Sequence, residues 1–345
     1  MRSEHANDLI FGETLLAAGY AYACSNKGIP TNARIEPGPA AGPLAYTVPF
    51  NLGEAPPGTL SMRFGALEPA VLSLTDWHED FADLIRFATA TVLEATGRRP
   101  ARTYAIGLSM GGGQVRYLLE RYPELVDGAV EWAAVHWTPR HAFVRYLPHF
   151  LRAMPAYASS GYRDRDVHDA IVAAGFPPDR IGDGPVASLW DAHYGKMPPF
   201  YADLTTFVFA SLLDPAGPPL ATLANRAAYI PTATAERAIA AVEQTGKIGR
   251  PLFGVAGDAD VFITPQQNFD PYLEAVREAG RGDAYWQFEV AGGTHVDAFV
   301  PLGWNLHAQQ PFALRAFDLL VGLVERGERP PGAGTKRQVA TPGEM

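Results

Sequence analysis

The sequence holds a single cysteine, Cys24, among 345 residues. That excludes an intrachain disulfide framework and any cysteine-based zinc finger. It has no excess of positive charge, with 28 Lys and Arg against 37 Asp and Glu and a net of −9. A nucleic-acid binder carries a basic face, so no nucleic-acid partner is expected. No apolar run reaches the ~18 residues of a membrane-crossing helix, so no membrane span is expected. Residues Met1 to Glu13 contain Glu4, Asp8 and Glu13 beside one arginine. They lack the basic-then-apolar order of a secretory signal. A cytoplasmic location is therefore expected, unless a segment upstream carries a signal peptide. There is no fixed-period repeat. What the chain does have is 47% apolar residues. At this length that builds a large core without disulfides or metals.

Three stretches are rich in Pro and Gly: Gly28 to Pro57, Pro177 to Pro199, and the tail from Arg326 to Met345. The tail lacks apolar periodicity, so 326–345 is expected to be disordered. Between these stretches runs a βα rhythm. Asp8 to Ala18 reads as a helix and Tyr20 to Ser25 (YAYACS) as a strand. Asp76 to Thr96 reads as a helix, with Asp76 and Glu79 spaced as a capping box. Further strands are expected at Arg102–Gly107, within Leu125–Val135, at Pro251–Ala256 and at Tyr285–Val290. Helices are expected at Gly112–Glu120 and Pro311–Glu325. Short apolar strands alternating with helices predict an α/β fold, a mostly parallel sheet with helices on both faces. The block 137–247 breaks the rhythm. It reads as a helical cap inserted into a core made of 1–136 and 248–325. Cap aromatics such as Phe143, Tyr146, Phe150 and Phe209 would build the cap's own small core or line an apolar site.

The sharpest chemical signal is Gly107-Leu108-Ser109-Met110-Gly111 between a strand and a helix. A serine on a tight strand-to-helix turn is lifted above the sheet, and its neighbours at −2 and +2 are expected to need small side chains. The backbone N–H of Met110 would face a developing oxyanion. The competing reading is a glycine-rich turn with a helix-capping serine. A serine hydroxyl needs a base. His295, in the loop Ala291-Gly292-Gly293-Thr294-His295 after the last strand, is the candidate, with His136 as rival. For the carboxylate that orients it, Asp260 in Gly257-Asp258-Ala259-Asp260 is favoured over Asp258 and Asp297. Ser25 and Asn26, Leu108, His136 and Trp137 are candidate pocket residues. Trp77-His78-Glu79 is assigned to a helix start, because adjacent helical residues point apart. No metal site is expected.

The order Ser109, Asp260, His295, with Gly107–Gly112, Gly257–Pro265 and Gly292–His295 around them, resembles the α/β-hydrolase superfamily and its serine esterases. The resemblance spans about Asp8 to Glu325. It implies Ser109 as nucleophile, His295 as base and then acid, Asp260 as orienting carboxylate, an acyl-enzyme intermediate and no cofactor. The implied partner is a small-molecule ester, and a homo-oligomer is compatible with it. Two other functions stay open: acyl transfer on the same fold, and a catalytically impaired or silent hydrolase. The latter arises because the chain departs from the family pattern. It starts too soon for the first three strands, and no His-Gly pair supplies a second oxyanion loop. The fold is thus expected to be N-terminally incomplete through truncation. Leu44–Leu52, Thr59–Leu74 or a partner chain are the candidate substitutes for the missing strands.

Overall fold

Residues 104–108, 128–132, 252–257 and 285–290 are short and apolar, and each is followed by a loop bearing small or polar residues. In the computed structural model, which describes residues 11–24, 33–37, 45–50, 58–64, 74–182, 187–194, 205–214, 217 and 223–345, all four are neighbouring strands of one sheet. Strands β1 (Ala33–Pro37), β2 (Ala45–Phe50) and β3 (Gly58–Phe64) form a separate antiparallel sheet of order β1-β3-β2. The main sheet runs β4 (Tyr104–Leu108), β5 (Gly128–Trp132), β6 (Leu252–Gly257), β7 (Tyr285–Val290) and β8 (Lys336–Val339) in that order. Every pairing in it is parallel.

The pleat sorts the core. Ala129, Leu252 and Tyr285 point to one face, against Val115, Leu118 and Leu119. Val130, Trp132, Phe253, Val255 and Trp286 point to the other, against Phe312, Phe317 and Leu320. The first set of leucines belongs to a helix at Met110–Arg121, the second to one at Gln310–Arg326. Helices therefore cover both faces, which is why these strands read as unbroken apolar runs. The Gln310–Arg326 helix has Pro311 in its first turn and ends at Gly327 with φ 71°, the expected proline-in, glycine-out signature.

Several expectations are corrected. The tail is not disordered. Ala291 N–H bonds to Val339 O at 2.9 Å, Val339 and Met345 are buried, and Lys336 Nζ pairs with Asp270 at 3.0 Å and Glu289 at 3.2 Å. One buried valine and one ion-paired lysine are enough for an edge strand. Residues 20–24 form no strand, although Tyr20 sets its ring edge-on to Phe317 at 5.4 Å. The helix expected from Asp76 is described from Leu74, so Asp76 lies inside its first turn. Glu79 instead accepts hydrogen bonds from the hydroxyls of Tyr117 and Tyr122. The substitute strands expected near 44–52 and 59–74 exist as β2 and β3, but they pair with each other and with β1, not with β4. Among the described residues β4 is an edge of the main sheet. That edge lines an apolar groove of about 860 Å³ bounded by Phe81, Ile85, Tyr20 and Phe317.

Between β5 and β6 the described residues hold helices α1 (Phe143–Ser159), α2 (Arg165–Ala173), α3 (Leu189–Tyr194), α4 (Thr205–Leu213), α5 (Leu223–Ala227) and α6 (Ala233–Ala241). Asp164 caps α2 through Val167 N–H at 3.1 Å. Thr232 caps α6 through Ala235 N–H at 3.4 Å. These helices share one apolar cluster with Met110, Trp137, Val261, Phe262 and Ile263. No helix among the described residues is long and apolar enough to cross a membrane.

Candidate active site

Ser109 lies between β4 and the Met110–Arg121 helix with φ 59° and ψ −118°. This is a sparsely populated conformation for a residue with a side chain, of the kind held in place only by its surroundings. The holding bonds are backbone ones. Ser109 N–H donates to Trp132 O at 2.8 Å, and Ser109 O accepts from Val135 N–H at 3.1 Å. The turn is thereby pinned to the end of β5. The serine side chain makes no capping bond to the helix, so the helix-capping reading fails. Met110 opens the helix, and its N–H is one of the donors that a helix leaves without an internal acceptor.

The expected need for small neighbours is half right. A Cβ on Gly107 would stand 2.2 Å from Gly111 O. A Cβ on Gly111 would meet nothing within 4 Å, whereas one on Gly112 would stand 2.6 Å from Ala134 Cβ. The crowded positions are −2 and +3. Gly111→Ala is expected to leave the thermal midpoint unchanged or raise it slightly, since alanine favours a helix by about 1 kcal/mol over glycine. Gly112→Ala is expected to lower stability by roughly 1–3 kcal/mol through overpacking. Paired melting curves of the two variants check this, and equal midpoints would contradict it.

His295 and Asp260 are brought together. Asp260 is fully buried, and its Oδ2 lies 3.0 Å from His295 Nδ1. Its Oδ1 accepts from the N–H groups of Phe262 at 2.8 Å and Ile263 at 2.9 Å. His295 is 4% exposed, with the Phe262 ring edge-on at 4.9 Å. The two loops meet because glycine faces glycine. A Cβ on Gly257 would stand 2.1 Å from Gly293 O, and Ala259 N–H bonds to that oxygen at 2.9 Å. Among the described residues no hydrogen bond joins Ser109 to His295. They share a setting: both follow carboxyl ends of strands in one parallel sheet, and Met110 and Phe262 belong to one apolar cluster.

The rival carboxylates have other partners. Asp258 Oδ1 accepts from Gly292 N–H at 2.8 Å and from Arg180 at 3.0 Å. It braces the histidine loop from below. Asp297 accepts from the N–H groups of Gln309 at 2.6 Å and Gln310 at 3.0 Å, capping the last long helix. Burial pushes the carboxyl pKa of both upward. His136 is buried among other partners. Its N–H donates to Asn268 Oδ1 at 3.0 Å, its ring meets Gln244 at 3.1 Å, and burial and then Arg116 hold its pKa well below the usual value. Trp137 is fully buried against Phe143 at 5.0 Å. Leu108 lines the groove along the edge of β4. Ser25 and Asn26 lie outside the described residues. His78 is buried, its Nδ1 2.7 Å from Leu74 O, with burial pushing its pKa down to about 4. It is an interior helix residue.

One group was missed. Arg116 and Glu131, both fully buried, form a two-pronged ion pair at 2.6 and 2.9 Å, to which Tyr285 adds its hydroxyl at 2.7 Å. Arg116 also lies 3.9 Å over the Tyr272 ring. A charged residue inside each of two otherwise apolar or glycine-rich segments is the signal that could have found the pair.

The site thus combines a parallel sheet covered on both faces, a serine at a strained turn after one strand, and an aspartate–histidine pair on the loops after two later strands. Solved structures similar to this chain include the following. Feruloyl esterase B from Aspergillus oryzae shares 16% identity over 79% of this chain and 71% of that one, with a TM-score of 0.48. Another esterase from Aspergillus oryzae shares 16% over 81% and 70%, TM-score 0.42. A peroxisomal α/β-hydrolase from Saccharomyces cerevisiae shares 15% over 78% and 64%, TM-score 0.36. No protein-family model matches the chain, and no curated protein matches it in sequence.

Proposed function

We propose that this chain is a serine hydrolase that cleaves carboxylic esters. The observation that carries the reading is the buried Asp260–His295 pair at 3.0 Å, set at the same sheet end as a serine held at φ 59°. In this reading Asp260 fixes the imidazole with Nδ1 protonated, leaving Nε2 as the base. His295 takes the Ser109 proton as Oγ attacks the ester carbonyl. The negative charge that develops on the carbonyl oxygen is met by Met110 N–H and the helix N-terminus behind it. His295 then protonates the leaving alcohol. Water, deprotonated by the same imidazole, resolves the acyl-serine. The helices of 137–247 act as a cap over the strand ends and bring Phe262-side apolar surface to the site.

The test is a stopped-flow assay with p-nitrophenyl esters of increasing chain length. An initial release approaching one p-nitrophenol per chain, followed by slower steady turnover in plain buffer, is expected of an acyl-enzyme. No release with any ester would contradict the reading. Turnover only with an added alcohol or amine acceptor would replace hydrolysis with acyl transfer.

A further inference from the structure

The carboxylate of Asp260 is aimed by backbone. Both N–H groups that converge on Oδ1 belong to Phe262 and Ile263. Whatever fixes that turn fixes the direction of Oδ2 toward His295. The turn is held from its far side by residues distant in sequence. Tyr146, on α1, donates its hydroxyl to Phe262 O at 3.1 Å. The same hydroxyl accepts from Asn268 Nδ2 at 2.9 Å. Asn268 is fully buried. Its Nδ2 also donates to Thr264 O at 3.0 Å, its Oδ1 accepts from His136 N–H at 3.0 Å, and its own carbonyl accepts from Arg116 Nη1 at 2.9 Å. The Asn268 amide thus has both its donor and its acceptor sides engaged, and the backbone carbonyl of the same residue ties this end of the 260–268 loop to the Arg116–Glu131 ion pair. Burial raises the Tyr146 pKa, so the hydroxyl stays a donor.

We infer that Tyr146 and Asn268 are positioning residues for Asp260, acting through the backbone of Phe262 to Thr264. The inference rests on the triad reading above. A buried carbonyl that loses its donor finds no water to replace it cheaply, and the turn relaxes instead. The imidazole follows, because Asp260 Oδ2 holds Nδ1 and Phe262 packs against the ring.

Tyr146→Phe removes one oxygen and keeps the ring that packs on Phe176 at 5.7 Å. Small misplacement of a catalytic group costs up to about 100-fold, so kcat is expected to fall roughly 10- to 100-fold with KM changed by less than about twofold. The Nδ1 proton resonance of His295, read by NMR without substrate, is expected to shift and to exchange faster with solvent. Asn268→Asp keeps the acceptor for His136 N–H and removes both donors. It is expected to give the same two changes, and it decides the matter if Tyr146→Phe does not fold. A lowered thermal midpoint with kcat and the His295 resonance unchanged would overturn the inference, because that is what a purely structural role gives. A wild-type chain that shows the resonance but turns over no ester would sink the esterase reading alone, and the resonance comparison would still decide the strut.

Discussion

Replacing Ser109 with alanine is expected to lower kcat for ester hydrolysis by at least about 10⁴-fold, since loss of a nucleophilic serine leaves only the oxyanion and binding contributions. The fold should not notice. The Ser109 side chain caps nothing, and the turn is held by backbone bonds to Trp132 and Val135. An alanine carries the same Cβ at φ 59° and the same strain. Ser109→Gly separates the two properties further. Glycine removes the Cβ that makes this conformation costly, so stability is expected to rise by roughly 1 kcal/mol or more while activity stays lost. Stability gained at the expense of activity is the mark of strain kept for function. Steady-state kinetics and melting curves of the two variants provide the check. An alanine variant retaining a tenth of wild-type kcat would remove Ser109 from the chemistry.

The second large effect concerns stability. Arg116→Met leaves the Glu131 carboxylate fully buried with only the Tyr285 hydroxyl for company. Breaking one side of a buried ion pair costs about 3–5 kcal/mol, because the remaining charge keeps its desolvation penalty without its partner. For a chain of this size that corresponds to a fall in melting midpoint of roughly 4–7 °C. The double variant Arg116→Met with Glu131→Leu is expected to recover most of the loss, since no unpaired charge remains. A single variant within 1 kcal/mol of wild type would show that water or another group takes over from Arg116. The guanidinium also bonds to Asn268 O, so the single variant is expected to lose activity as well.

Much of this fold was legible because parallel strands buried on both faces leave a strong local trace. Short apolar runs ending in glycine or a polar loop mark β4, β6 and β7 to within a residue or two of their observed bounds, and β5 lies inside the longer segment Leu125–Val135 expected to hold it. The loop positions of Ser109, Asp260 and His295, and with them the Asp260–His295 contact, were legible for the same reason: each residue follows such a strand, where glycines mark the close approach of backbones. Features set by tertiary partners were not legible. β8 holds one buried side chain, Val339, and its register is set by β7 and by Lys336 between Asp270 and Glu289. Nothing in KRQV alone predicts a strand. YAYACS has strand-like alternation, but Tyr20 and Tyr22 pack on the sheet-covering helix side instead of joining the ladder. Asp76 and Glu79 have capping-box spacing, yet Asp76 lies inside the first turn of a helix described from Leu74. The Tyr146–Asn268–Arg116 strut joins residues 122 and 152 apart along the chain. Only a three-dimensional arrangement reveals it.

Native protein treated at pH 8 with a fluorophosphonate, digested and mapped by mass spectrometry, is expected to carry a single adduct on the peptide containing Gly107 to Gly113, at Ser109. The adduct should vanish when the chain is unfolded before treatment and when His295 is replaced by Gln. A folded chain that acquires no adduct at Ser109, or acquires it equally after unfolding, would contradict the claim that Asp260 and His295 make this serine a nucleophile.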